Sequence, residues 1–153
     1  SRNESPFIVV CDSLEDPHNL GAILRSAEAA GVHGVIIPKR NSVTLNYTVA
    51  KTSAGAIEYV PVVKVANLPA AIDELKSRGV WIFGADMDGT DYTALDYSGS
   101  IALVIGSEGS GMTRLVSENC DFLVSIPMKG RISSLNASAA AAILLYEAVR
   151  QRS

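Results

Sequence analysis

Apolar residues along the chain gather into short, β-rich runs separated by stretches of helical spacing. The runs lie at Phe7 to Val10, Val35 to Ile37, Val60 to Val65, Val80 to Phe83, Ile101 to Ile105 and Phe122 to Ile126, and they predict six strands. Residues 19–30, with Leu20, Ile23, Leu24 and Ala27 on one face, predict a helix, as do 45–54, 68–77, 113–118 and 138–151. Gly31, Gly79 and Gly89 punctuate the ends of elements. Strands alternating with helices predict an α/β domain, a mostly parallel six-stranded sheet with helices on both faces. In open parallel sheets ligands sit outside the carboxyl ends of the strands, which points to the loops after Phe83, Ile105 and Ile126.

Composition narrows the class. With 153 residues, 48% of them hydrophobic, the chain can build one substantial core, so a single domain over 1–153 is expected. No stretch reaches the roughly 20 apolar residues of a membrane helix, and Ser1 to Ser5 carry no signal-peptide pattern, so a soluble, cytoplasmic protein is expected. The start without methionine reads as a domain boundary, with a further N-terminal segment expected in the full protein. Cys11 and Cys120 form no CxxC or zinc-type spacing; both are expected to be reduced and structural, and no metal site is expected. The net charge of −3 argues against a generic polyanion binder, so any basic surface must be local. The run Ala139 to Ala142 suits close helix packing and could serve a subunit contact.

Three segments carry candidate chemistry. The first is Asp16-Pro17-His18-Asn19-Leu20-Gly21-Ala22-Ile23-Leu24-Arg25. Asn19 and Arg25 are six positions apart and point to different sides of an ideal helix, so Asn19 would act from an irregular helix start. The plainer reading has Asn19 as a cap and Arg25 in a surface ion pair with Glu28. The second, Gly106-Ser107-Glu108-Gly109-Ser110-Gly111-Met112-Thr113, has the spacing of a phosphate-binding loop but places Met112 where the lysine belongs and adds the Glu108 carboxylate. A dinucleotide-type glycine pattern from Gly109 fails at Arg114. What survives is a glycine-rich turn bringing backbone close to a ligand, or simply a tight strand-to-helix connection. The third is Ile126-Pro127-Met128-Lys129-Gly130 followed by Ser133-Ser134-Leu135-Asn136-Ala137-Ser138. Here Ser134 and Asn136 are good helix caps, and together with the second segment they outline a pocket.

In this order and spacing the segments resemble the SpoU (TrmH) family of RNA ribose methyltransferases, within the SPOUT superfamily. Asn19 to Arg25 is similar to its first motif, Leu103 to Gly111 to its second, and Ile126 to Met128 with Ser134 to Ser138 to its third. The resemblance runs from about Phe7 to Arg152 and is strongest to enzymes that methylate a guanosine ribose in large-subunit ribosomal RNA. It implies a C-terminal deep trefoil knot, which general topology rules would exclude. It also implies a homodimer with active sites at the subunit interface, and an RNA-binding domain preceding the catalytic one.

The reaction so implied transfers a methyl group from S-adenosylmethionine to a ribose 2′-hydroxyl, by in-line attack on an activated donor. Gly84, Ala85, Gly106, Ile126, Met128 and Leu135 would hold the adenosyl group, and Arg25, Asn19, Glu108, Ser134 and Asn136 would form the catalytic set. An arginine is a poor proton acceptor, so Arg25 is expected to grip RNA phosphate and stabilise the developing alkoxide. Lys39, Arg40, Lys51, Lys129 and Arg131 are candidates for RNA backbone contact, the last two above the others. A transfer-RNA substrate, a non-enzymatic adenosyl- or nucleotide-binding module and a nucleotide hydrolase are the competing readings, the last disfavoured by Met112. The domain alone is expected to bind donor and dimerise with weak turnover or none.

Overall fold

The computed structural model of the chain describes residues 4–39, 45–107 and 109–153. Strands β1 (Phe7–Cys11), β2 (Gly34–Pro38), β3 (Val62–Val65), β4 (Trp81–Asp91), β5 (Ile101–Ile105) and β6 (Phe122–Ser125) form one sheet in the order β3-β2-β1-β5-β4-β6. Every pairing in it is parallel. The helices are α1 (Pro17–Ala29), α2 (Tyr47–Thr52), α3 (Leu68–Ser77), α4 (Arg114–Glu118) and α5 (Ala137–Arg152).

Alternation along the central strands divides the core in two. Val9 and Cys11 of β1 with Ile101, Leu103 and Ile105 of β5 face Leu20, Ile23 and Leu24 of α1 and Leu144 and Leu145 of α5. Val10, Ala102 and Val104 face the other way, onto Leu68 and Ile72 of α3 and Val116 of α4. Every residue of β5 is buried, as expected of a strand covered on both sides. Each fully buried Leu or Ile contributes roughly 1.5–3 kcal/mol, so these two layers fix the sheet on which the loops are mounted.

Several boundaries differ from the sequence reading, each for a local reason. Helix α1 begins at Pro17, because Asp16 is the cap and accepts from the His18 N–H at 2.9 Å. Asn19 therefore sits within the first helical turn and is not the cap. Helix α2 is shorter than 45–54: Asn46 caps it, and Ala54 and Gly55 leave it with φ of 54° and 87°. Strand β3 starts after Pro61, which has no N–H to give a ladder. Strand β4 runs well past Phe83, because both Ala85 and Thr90 stand opposite Val124 and residues 86–89 loop outward between them.

The end of α5 is tied to the segment between β4 and β5 and to the start of β1. Glu147, buried, accepts from Arg150 at 3.0 and 2.7 Å and from Gln151 at 2.9 Å. The Gln151 side chain in turn accepts from the Tyr97 N–H at 2.8 Å and donates to the Leu95 carbonyl at 2.9 Å. Arg152 lies over the Phe7 ring, 4.8 Å from its centroid. No helix among the described residues is long and apolar enough to cross a membrane.

Candidate functional site

The outward loop of β4 and the carboxyl ends of β5 and β6 open into a cavity of about 320 Å³. Its apolar walls come from Ala85, Ile105, Val124, Ile126, Leu135 and Leu144. Its polar groups are Ser107, Ser110, Ser125, Ser133 and Ser134, with Asp86 and Asp88 contributed by the outward loop of β4. Apolar walls with a few polar groups, at roughly 300–1,000 Å³, are the usual form of a small-molecule site.

The glycine-rich loop after β5 forms one side. Ser107 and Gly111 close it with two backbone hydrogen bonds, N–H of Ser107 to O of Gly111 at 3.0 Å and the reverse at 2.7 Å. The Ser107 and Ser110 hydroxyls are also in contact. A Cβ on Gly106 would overlap the backbone of Gly111 and Met112, so this closure requires glycine there.

The residues singled out in the sequence are distributed unevenly. Ala85, Gly106, Ile126, Met128, Leu135 and Ser134 line the cavity. Gly84 lies just beneath it, packed against the Met112 and Cys120 side chains. Asn136 caps α5, accepting from the Ser138 and Ala139 N–H groups at 3.0 and 3.3 Å, and its amide donates to the Asn19 side-chain oxygen at 3.0 Å. Arg25 does not line the cavity. It borders a second, separate depression with Glu28, Ser53, Ala54, Ala56 and Tyr59, and it makes no ion pair with Glu28. Lys39, Lys51, Lys129 and Arg131 are exposed. Glu108 and Arg40 lie outside the described residues.

Sequence reasoning missed four contributors. Asp86 and Asp88 reach the cavity because β4 bulges, and the only trace in the sequence is the turn-like Asp86-Met87-Asp88-Gly89, closed by the Asp88 N–H to Asp86 at 2.8 Å. Met112, noted only for not being lysine, is a cavity wall. Asp12, buried at the end of β1, accepts from the Thr113 N–H at 2.7 Å and the Thr113 hydroxyl at 2.9 Å. Neither cysteine is poised for chemistry: burial first, then Asp12, pushes the Cys11 thiol up to about 12, and burial with Asp121 does the same to Cys120.

Residues 6–146 match the SpoU rRNA Methylase family. The chain belongs to this family. YacO of Bacillus subtilis (strain 168), assigned by name to the TrmH family of tRNA/rRNA methyltransferases, is 54% identical over 99% of the chain, and the chain spans 61% of that relative's length. The crystal structure of the SpoU methyltransferase AviRb from Streptomyces viridochromogenes in complex with the cofactor AdoMet superposes with a TM-score of 0.92. It is 35% identical, over 99% of this chain and 60% of AviRb. The crystal structure of an RNA 2′-O ribose methyltransferase gives a TM-score of 0.86 at 32% identity, over 99% of this chain and 59% of that one. The parallel sheet and its covering helices are thus the SpoU fold.

Proposed function

We propose that this SpoU-family protein transfers a methyl group from S-adenosylmethionine to the 2′-hydroxyl of a guanosine in large-subunit ribosomal RNA. The observation that carries the reading is the cavity at the β4 bulge and the ends of β5 and β6, lined by the second and third motif segments in a fold shared with an AdoMet-bound relative. The residues present suit the donor: Ile105, Val124, Ile126 and Leu135 offer an apolar slot for an adenine, Gly106 lets backbone approach it, and Asp86 and Asp88 favour a positively charged ligand over a triphosphate. When bound, the donor supplies a methyl group on a sulfonium, already activated for displacement.

The protein's own task is then to bring the ribose into line and to favour its oxygen as nucleophile. Arg25 grips an RNA phosphate and stabilises charge developing on that oxygen. Asn19, bonded to Asn136, and Ser134 on the cavity wall orient the ribose, and Glu108 completes the set.

Arg25 borders a depression separate from the donor cavity, which supports a homodimer in which each cavity is completed by the partner's α1. The face of α5 turned away from the core supports the same reading: Ala139 and Tyr146 are exposed on it and Ala142 and Ile143 half-buried, an apolar stripe suited to an isologous contact. The knot expected from the family is supported by the course of the chain. Strand β6 lies at the sheet edge, yet α5, only eleven residues on, packs centrally against α1 and β5. The chain spans 61% of YacO and 60% of AviRb, which leaves room in proteins of that length for the RNA-binding domain that the family resemblance implies.

Thermal melting with ligand tests the donor assignment. S-adenosylmethionine at a hundredfold excess over its Kd adds about 2.7 kcal/mol to stability, and at ~2–4 °C per kcal/mol this raises Tm by about 5–10 °C. ATP leaves it unchanged. Equal shifts with both ligands, or none with S-adenosylmethionine, overturn the assignment.

A further inference from the structure

Asp12 belongs to none of the three motif segments, yet it touches both ends of the glycine-rich loop that walls the cavity. Its backbone N–H donates to the Ile105 carbonyl at 2.8 Å, where the loop begins. Its carboxylate accepts from the N–H and hydroxyl of Thr113, where the loop ends, at 2.7 and 2.9 Å. The second carboxylate oxygen accepts from the Ser13 hydroxyl at 3.0 Å. Asp12 is only 4% exposed, and a carboxylate withdrawn from water this far is retained only where its acceptors are filled, as they are here. Charge-assisted bonds of this kind are roughly twice as strong as neutral ones, so the clamp is stiff.

The next residue adds a second observation. Ser13 has a φ of 63°, a left-handed conformation that is uncommon for any residue other than glycine. Such backbone persists where surrounding contacts over-determine it. Beyond Ser13 the chain enters α1, which carries Asn19 and Arg25. One residue therefore fixes the donor loop and anchors the segment that leads to the proposed chemistry.

We infer that Asp12 is a positioning residue that, by holding Ile105 and Thr113, keeps Gly106, Ser107 and Gly111 in their donor-binding arrangement, an inference that rests on the methyl-donor reading above. Calorimetric titration of the protein with S-adenosylmethionine tests it. The Kd is expected to rise tenfold or more in Asp12→Ala and to return to within about threefold of wild type in Asp12→Asn, which keeps an oxygen acceptor toward Thr113. Ile72→Ala, a cavity in the second core on the far face of the sheet, serves as the control for stability loss alone and should leave the Kd unchanged. A folded Asp12→Ala protein with a Kd within twofold of wild type overturns the inference, as does an equal rise in Ile72→Ala. Should Asp12→Ala not fold, Thr113→Val removes only the hydroxyl bond; a threefold rise is expected, and no rise overturns the clamp. Wild-type protein that gives no heat with S-adenosylmethionine would instead defeat the donor reading itself.

Discussion

The side-chain amide of Asn136 donates to the side-chain oxygen of Asn19 at 3.0 Å, joining residues 117 positions apart. One is in the first turn of α1 and the other caps α5, so the bond ties the first motif to the third. The two asparagines are not equivalent, because Asn136 also satisfies the first N–H groups of α5.

Their substitution should separate structure from chemistry. Asn136→Ala loses a helix cap as well as the pair, costing about 0.5–2 kcal/mol and lowering Tm, whereas Asn19→Ala loses the pair alone. Both should lower methyl transfer. Melting curves and transfer rates on the two variants check this; equal losses of stability would mean the cap is not where the α5 energy lies.

Two glycines at the cavity should differ in kind. A methyl group on Gly106 meets the backbone of Gly111, which cannot yield without opening the loop, so Gly106→Ala should weaken S-adenosylmethionine binding tenfold or more. On Gly84 it meets the Cys120 sulfur at 2.5 Å and the Met112 side-chain end at 2.8 Å, groups that can rotate away. Gly84→Ala should cost roughly 1–3 kcal/mol of stability and keep donor affinity within a few-fold. Titration calorimetry with both variants decides, and the reverse ranking would contradict the loop's role.

Acid stability should report on Glu147. Hydrogen bonds from Arg150 and then Gln151 hold its carboxyl down, from 4.5 to about 2. The unfolded chain takes up this proton near pH 4.5 while the folded protein resists until about pH 2, so the contribution is complete above the unfolded value and is lost as pH falls between the two. Glu147→Gln should flatten the fall in urea midpoint between about pH 5 and 2.5. An unchanged slope would assign acid sensitivity to other carboxylates.

Lys129 and Arg131 flank the third motif and are exposed. If they contact phosphate, Lys129→Glu with Arg131→Glu weakens RNA binding and lowers its salt slope by roughly 0.7–0.9 per lost contact. Filter binding across a salt series measures this, and a parallel slope would leave the two residues as ordinary solvated surface.

The sheet was legible because its signal is redundant. β5 is apolar at every position and β1 nearly so, and that pattern has few meanings in a chain that alternates with helices. The position of the cavity was legible too, since Ile105 ends β5 and Ile126 directly follows β6 in a parallel sheet, and ligands collect there. What escaped was set by contacts distant in sequence. Asp12 matters through Thr113, 101 positions on. The Asp86–Asp88 excursion exists because Ala85 and Thr90 share one partner, Val124, and neither fact is local. The separation of Arg25 from the cavity was likewise invisible, because helical spacing gives the side of α1 on which it lies but not what lies beyond that side.

Transfer of tritiated methyl from S-adenosylmethionine to undermodified ribosomal RNA tests the central claim most directly. The expected product is a labelled dinucleotide that survives alkaline hydrolysis, since a methylated 2′-oxygen cannot attack its neighbouring phosphate. Arg25→Ala should reduce its formation by about 10²–10³ while donor affinity stays within a few-fold. Label recovered only in alkali-sensitive mononucleotides, or no label on ribosomal or transfer RNA while wild-type donor binding is intact, would contradict the account.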